Sequence, residues 1–269
     1  MIAVADDHAA RAYDVFAGFY DEFTSDHDHD AWTAALERIA LDAGLGGRRL
    51  LDLACGTGNS FVPMLERGYA VTACDASAAM VARAAEKADG GAQVVVEDLR
   101  ALPRLGSFDL VWCLGDALNY LQSAAELTAA FAGARANLAG GGVFVFDLNT
   151  LGTFRRFYSS LLVRPAPERV IVLDGHGDPG LEAGGASEVW IDRLIAGDDG
   201  WWRRERTVHH HRHHPPARVR GCLHVAGLEA VGCFGSGPSG ALEPGLDESR
   251  HVKTVYVARS AAHETGERR

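Results

Sequence analysis

The sequence predicts an α/β protein built on a mostly parallel sheet with helices on both faces, and three features carry that expectation. Between residues 50 and 150, short apolar runs alternate five times with longer alanine-rich or amphipathic stretches, a pattern that specifies right-handed crossovers. The first run, Leu50-Leu51-Asp52-Leu53, breaks at once into Ala54-Cys55-Gly56-Thr57-Gly58. The next two runs close on acids, Asp75 and Asp98, where the carboxyl ends of parallel strands gather around a ligand crevice.

Composition narrows the function classes. A chain of 269 residues, 47% hydrophobic, can bury a substantial core and suits one domain or one and a half. Formal charge is −10 and the only long basic cluster is mostly histidine, which argues against a nucleic-acid partner. No apolar run approaches the roughly 20 residues of a membrane span. Residues 1–10 hold early acids instead of a charged-then-apolar leader. No membrane association is expected, and a cytoplasmic location is. Cys55, Cys74, Cys113, Cys222 and Cys233 show no C-x-x-C spacing, and their odd number suits reduced, mostly buried thiols with neither a disulfide nor a zinc site.

Taken in order, Tyr13, Phe16, Tyr20 and Phe23 recur at three- and four-residue steps, which predicts one amphipathic helix with all four on one face. A second helix is expected to start in Asp26-His27-Asp28-His29-Asp30 and to run to Gly44. Acids favour a helix start, and alternating Asp/His side chains diverge on a helix instead of enclosing a metal. The glycine stretch reads as strand turning into helix. Gly56 and Gly58 permit a sharp turn and close approach of a ligand, and the following helix would begin with free N–H groups facing it. Neither the dinucleotide G-x-G-x-x-G nor the phosphate-loop G-x-x-x-x-G-K pattern is present.

A second strand, 70–75, ends at Asp75, some 20 residues past the glycines, where a carboxylate can accept both hydroxyls of a ribose; capping of the next helix is the plainer role. A third, 93–97, ends in Asp98-Leu99, an acid and backbone N–H that could meet an adenine. The fourth, 108–114, opens into Gly115-Asp116-Ala117-Leu118-Asn119-Tyr120-Leu121 at the same crevice. A helix over 124–138, ended by Gly140-Gly141-Gly142, precedes the fifth strand, 143–147.

The runs LLDLACGTGN, VTACDAS, VVVEDLRAL, FDLVWCLGDALNYL and NLAGGGVFVFDLNT, with the opening YDVFAGFYDEF, stand in the order of the motifs of class I S-adenosylmethionine-dependent methyltransferases of the small-molecule type, and residues 13–150 closely resemble that family. The resemblance implies a Rossmann-like seven-stranded sheet, mostly parallel with an antiparallel edge hairpin, plus an antiparallel β lid insertion. It implies S-adenosylmethionine as cofactor and S-adenosylhomocysteine as product. Residue by residue, Ala54, Gly56 and Gly58 would line the cofactor, Asp75 with Ala76 would hold its ribose, and Asp98 with Leu99 would meet its adenine. Asp52 and the Leu114 carbonyl would approach its amino group, and Tyr13 and Tyr20 would close over it from an N-terminal lid helix.

The expected division is 1–153 for N-terminal helices and cofactor core, 154–214 for the lid, and 215–269 for a helix and edge strands completing the core. Within the lid, 187–196 and 201–211 read as a hairpin around Gly197-Asp198-Asp199-Gly200, and 168–174 adds another strand. Such a sheet would roof the crevice and select the acceptor, or serve dimerisation or a heteromeric partner. His209-His210-His211-Arg212-His213-His214 admits three readings: a metal pair, an acid/base histidine facing the acceptor, or a solvated strand end. Pro215-Pro216 reads as the start of a helix that runs through Leu223 and Val225 and is ended by Gly227. Strands over 228–234 and 251–258 flank a glycine-, serine- and proline-rich loop at 235–244, and residues 264–269 read as a frayed tail. Asn119 and Tyr120, then Tyr13, Tyr20, Asp116 and His209, are the candidates for orienting a small-molecule acceptor at nitrogen or oxygen. A cofactor-binding relative catalysing an elimination or cyclisation is the alternative.

Overall fold

The structure, a computed structural model, describes residues 8–261; the tail expected at 264–269 and the acids of residues 1–7 lie outside the described residues. Strand and helix alternate along the core: β1 (Arg49–Leu53), α4 (Val62–Glu66), β2 (Ala70–Asp75), α5 (Ala78–Ala88), β3 (Ala92–Val96), β4 (Phe108–Cys113), α6 (Ala124–Asn137) and β5 (Leu138–Asn149), except between β3 and β4, where a single 3-10 turn (Leu99–Ala101) stands for the helix. Three helices precede them, α1 (His8–Phe16), α2 (Tyr20–Phe23) and α3 (His29–Asp42). After β5 come α7 (Leu151–Arg156), the lid strands β6 (Leu161–Ala166), β7 (Arg169–Gly175), β8 (Ala186–Ala196) and β9 (Trp202–Arg212), then α8 (Pro216–Val225), β10 (Leu228–Ser236), β11 (Leu242–Pro244) and β12 (Lys253–Ser260).

The main sheet runs β11-β10-β12-β5-β4-β1-β2-β3, parallel from β3 to β5 and antiparallel from β5 outward. Seven of these strands make the Rossmann-like core. β11 adds three residues at the edge, in the stretch that reads as loop, where Gly235 and Ser236 pair with Glu243 and Leu242. Successive strand residues point to opposite faces, so Leu51, Leu53, Phe144 and Phe146 pack under α6 and α8, while Leu50, Val143 and Val145 pack under α3, α4 and α5. The parallel strands are therefore apolar on both faces, as a sheet covered by crossovers requires.

Some expectations are corrected. The single amphipathic helix over residues 13–23 is two helices, because residues 17–19 form a turn around Gly18, whose missing side chain makes helix continuation costly. The four aromatics still converge, with Phe16 2% exposed. The helix after the glycines does not begin at the loop; turns carry the chain to Val62. The acid-rich start of α3 is as expected, with Asp28 accepting from Ala31 N. Gly140 to Gly142 do not separate helix from strand but lie inside β5, where the register with β4 shifts and a Cβ on Gly142 would fall 2.9 Å from Phe108 O.

The lid is a four-stranded antiparallel sheet, β6-β7-β8-β9; β6 and the short α7 before it have no sequence signal comparable to the hairpin's. Its inner face, Ile171, Leu173, Val189 and Ile191, closes on Phe16, Phe19, Phe154 and Tyr158. The lid therefore rests on α1 and α2, which in turn lie over the carboxyl ends of the parallel strands.

Candidate active site

Two adjoining cavities lie at those strand ends. The smaller, about 130 Å³, is lined by Gly56, Asp75, Ala76, Asp98 and Leu99, and the larger, about 380 Å³, lies under the lid. They share Tyr13, Tyr20, Ala54, Gly56, Leu114, Gly115 and Tyr120.

The loop after β1 makes the smaller cavity possible. Ala54 and Gly56 both have positive φ, 54° and 55°, so the backbone folds back and presents itself instead of side chains. A Cβ at Gly56 would meet nothing nearer than Tyr20 Cε1 at 3.8 Å, leaving room for a ligand between loop and helix. Asp75 closes β2 with Oδ2 accepting from Gly56 N and Oδ1 from Ser77 N, both at 2.9 Å. Burial pushes its carboxyl up while these N–H groups pull it down. Asp98 is partly buried, which raises its pKa, but the Arg100 guanidinium 2.9 Å away outweighs burial and holds it below the usual carboxylate value. This donor set fits an adenosine group: carboxylates for ribose and adenine, and a bare backbone between.

Three sequence-predicted residues are elsewhere. Asp52 is 1% exposed and lines neither cavity; its Oδ2 accepts from Ser60 Oγ beneath the loop, and burial pushes its pKa up to about 7. Gly58 also lines neither; at φ 90°, a Cβ there would sit 2.8 Å from Phe61 Cζ, so the glycine serves packing. Asn119 is fully buried and ties two backbones together, Oδ1 accepting from Asn149 N and Nδ2 donating to Arg212 O, both at 2.9 Å. It braces the end of β5 against the end of β9, and its polar atoms are spent.

Tyr13, Tyr20, Tyr120 and His209 do come together. Tyr13 Oη donates to Tyr120 Oη at 2.9 Å, Tyr120 Oη meets His209 Nδ1 at 2.9 Å, and His209 Nε2 meets Thr207 Oγ1 at 2.8 Å. Burial raises the pKa of all three phenols, which stay protonated, and lowers His209 to about 4. The histidine run is not a solvated strand end: His209, His211, His213 and His214 are at most 4% exposed. Its alternation puts His209 and His211 on the cavity side, while His213 meets Glu248 and His214 meets the Leu121 carbonyl. No group of three metal-ligating side chains occurs among the described residues.

The cavity floor contains residues that carried no sequence assignment, together with Asp116. Asp116 Oδ2 accepts from Tyr158 Oη at 2.9 Å and Asn149 Nδ2 at 3.0 Å. Asp147 accepts from the backbone N–H groups of Gly115 and Asp116, and from Lys253 Nζ at 3.0 Å. Burial alone would drive the proton off Lys253, but Asp147 and Asp116 outweigh it and hold the ammonium charged. His211 stacks on Tyr158, with ring centroids 4.7 Å apart, and its Nδ1 has no partner among the described residues. Asp147 was detectable, since the strand expected over 143–147 closes on it as the second closes on Asp75, although β5 runs on to Asn149. Lys253 was not: only the antiparallel pairing of Lys253 with Asn149 brings it to the crevice.

Among known proteins, a family model described as a methyltransferase domain matches residues 50–142. The demethylmenaquinone methyltransferase of Renibacterium salmoninarum is 30% identical over 166 residues, 60% of this chain and 68% of that protein. The first curated relatives that the chain matches are spanned over 58% and 56% of their own length. An S-adenosylmethionine-dependent methyltransferase from Clostridium acetobutylicum superposes with a TM-score of 0.78 at 21% identity, over 92% of this chain and 98% of that one, a likeness of fold. The sugar N-methyltransferase KedS8 from Streptoalloteichus sp. gives 0.69 at 25% identity, over 88% and 92%. No described helix is long and apolar enough to cross a membrane. With its glycine loop, the acids at the ends of β2 and β3, and these relatives, the chain belongs to the class I S-adenosylmethionine-dependent methyltransferases.

Proposed function

We propose that the protein transfers the methyl group of S-adenosylmethionine to nitrogen or oxygen of a small molecule enclosed between core and lid. The observation that carries this reading is the joining of an acid-lined cavity at Asp75 and Asp98 to a lid-roofed one through a shared wall of Tyr13, Tyr20 and Tyr120. In this assignment Asp75, with Ala76 beside it, holds the ribose, Asp98 and the Leu99 N–H meet the adenine, Ala54 and Gly56 pass close to the cofactor, and the Leu114 carbonyl takes the amino group. The sulfonium supplies a methyl already activated for in-line displacement.

The chain's own task is then positioning. Holding a nucleophile in line can supply roughly 7 to 11 kcal/mol of a barrier. Tyr13, Tyr120 and His209 form one hydrogen-bonded group at the seam where acceptor and methyl would meet. Phe16, Phe157, Leu162 and Ile191 give the larger cavity apolar walls that exclude water. The floor sets two carboxylates, Asp116 and Asp147, against one ammonium, Lys253, and this surplus of negative charge favours an amine acceptor. The structural likeness to KedS8, named as a sugar N-methyltransferase, points the same way.

The test uses methyl-labelled cofactor with a panel of amine and hydroxyl metabolites, following label and demethylated cofactor by mass spectrometry. Label should appear in an amine in proportion to S-adenosylhomocysteine formed. Asp75→Ala should weaken cofactor binding roughly ten- to a hundredfold, as for lost hydrogen bonds to a charged group, about 1.5–3 kcal/mol. A product formed with no label transferred would overturn methyl transfer in favour of an elimination or cyclisation.

A further inference from the structure

The hydrogen-bonded group at the seam runs in one direction. A neutral imidazole has one donor nitrogen and one acceptor nitrogen, so a chain through His209 is polarised one way or the other. Both ends of this chain agree on which. At one end Tyr13 Oη donates to Tyr120 Oη, so the Tyr120 proton goes on to His209 Nδ1. At the other, Thr207 Oγ1 has the Ile191 carbonyl as a long acceptor at 3.5 Å, a direction that lets it receive the proton on His209 Nε2 at 2.8 Å. The chain is therefore Tyr13 to Tyr120 to His209 to Thr207 to the lid backbone. Tyr13 spends its only proton inside the chain, and toward the cavities, both of which it lines, it offers lone pairs alone.

We propose that Tyr13 orients the methyl acceptor by accepting a hydrogen bond from the nucleophilic atom itself, with Tyr120, His209 and Thr207 holding that polarity. The nucleophile must then carry hydrogen. A primary or secondary amine or a hydroxyl donates to Tyr13 and turns a lone pair toward the methyl; as the new N–C or O–C bond forms, the S–CH3 bond breaks, S-adenosylhomocysteine leaves with the electron pair, and the acceptor's proton is lost to solvent. A tertiary amine has no N–H to donate, and successive methylation stops there. The inference deepens the methyl-transfer reading and rests on it.

The polarity depends on His209 staying neutral, because an imidazolium would donate from Nδ1 and reverse the chain. The groups around it are His8 and Tyr13 from α1, Tyr120 from the loop after β4, and His210 and His211 on β9, with Asp116 and Lys253 beyond His211. Burial is the first cause of the low pKa of His209, and His8 and His210 lower it further.

The experiment is ¹⁵N NMR of the full chain labelled in histidine and saturated with S-adenosylhomocysteine, His209 being assigned by loss of its signal in His209→Gln. Between pH 6 and 8, on the order of two pH units or more above its pKa, His209 should be the Nε2–H tautomer. Methylammonium chloride, which carries N–H, should shift the Nδ1 resonance; tetramethylammonium chloride, which carries none, should leave it in place. Tyr120→Phe should abolish the response. An Nδ1–H tautomer, no response to methylammonium, or an equal response to both cations would overturn the proposal. Calorimetry with S-adenosylmethionine on the same protein before S-adenosylhomocysteine is added keeps the two readings apart: absence of cofactor binding would bring down methyl transfer itself, whatever tautomer is found.

Discussion

A carboxylate loses hydration when buried and recovers it only through donors; for Asp52 these are Ser60 Oγ and, more weakly, the Trp112 side chain. Burial accordingly pushes its pKa from 3.8 up to about 7. The sign follows from linkage: a group whose folded pKa is raised contributes stability that is fully present below its unfolded value and lost as pH rises through the folded one. Asp52 therefore weighs against the fold above pH 7. Asn keeps an oxygen for Ser60 and cannot ionise, so Asp52→Asn should match wild type near pH 4 and exceed it at pH 8 by on the order of 1–3 kcal/mol, since each tenfold change in proton affinity is worth about 1.4 kcal/mol. Thermal melts across that range read the difference directly. The histidines act oppositely: His209 and His214 are lowered to about 4, so their contribution is lost as pH falls from 6.5 to 4, equally in both proteins. A gap between the two proteins that is independent of pH would show that Asp52 ionises in the folded protein as readily as in the unfolded chain, and that burial does not raise its pKa.

At the scale of elements, α1 and α2 carry Tyr13 and Tyr20, which wall the smaller cavity. They lie between core and lid, and polar ties bind them on both sides. Lys87 Nζ on α5 reaches Asp21 Oδ1 at 2.8 Å and Thr57 Oγ1 at 3.0 Å, and Ser77 Oγ reaches Asp14 Oδ1 at 2.6 Å. From the lid, Arg164 pairs with Asp26 and Arg169 with Glu22. Such half-exposed pairs are each worth about 0–1 kcal/mol, so they latch the helices without fixing them. Tyr13 on α1 and Tyr20 on α2 wall the smaller cavity, so a cofactor seated there as proposed would leave only when these helices lift. Lys87→Met should speed release of S-adenosylhomocysteine several-fold in stopped-flow measurements, with stability changed by less than about 1 kcal/mol. Unchanged release would place the exchange route elsewhere.

Across the whole molecule, the two cavities meet at Tyr13, Tyr20 and Tyr120 but have separate outer walls. Leu162 on β6 borders only the larger one and is half-buried, so a bulkier side chain there can enter the cavity without repacking the core. Leu162→Trp should leave cofactor affinity within about twofold, a free-energy change of under about 0.5 kcal/mol, while suppressing methyl transfer to the acceptor found in the label screen. A parallel loss of cofactor binding, measured by calorimetry, would show the lid to be part of the cofactor site.

The order of strands and helices, the crevice at the strand ends and the positions of Asp75 and Asp98 were legible in the sequence because they depend on short-range pattern: hydrophobic periodicity, glycines at a turn, acids closing strands. The lid hairpin was legible for the same reason, through alternation around a turn. What a side chain faces was decided by packing. Asp52 and Gly58 share a motif with Gly56, yet one is covered by Ser60 and the other filled by Phe61, since neighbouring residues of a tight loop point in different directions. Asn119 and Tyr120 are adjacent, but one is consumed bracing two backbones and the other faces the seam. Lys253 reaches Asp147 through a strand pairing that spans more than 100 residues, and the histidine run is buried because β9 is the lid's inner edge against α1. Local residue type determined the elements; only the closing of distant elements on one another decided which polar atoms were left for a ligand.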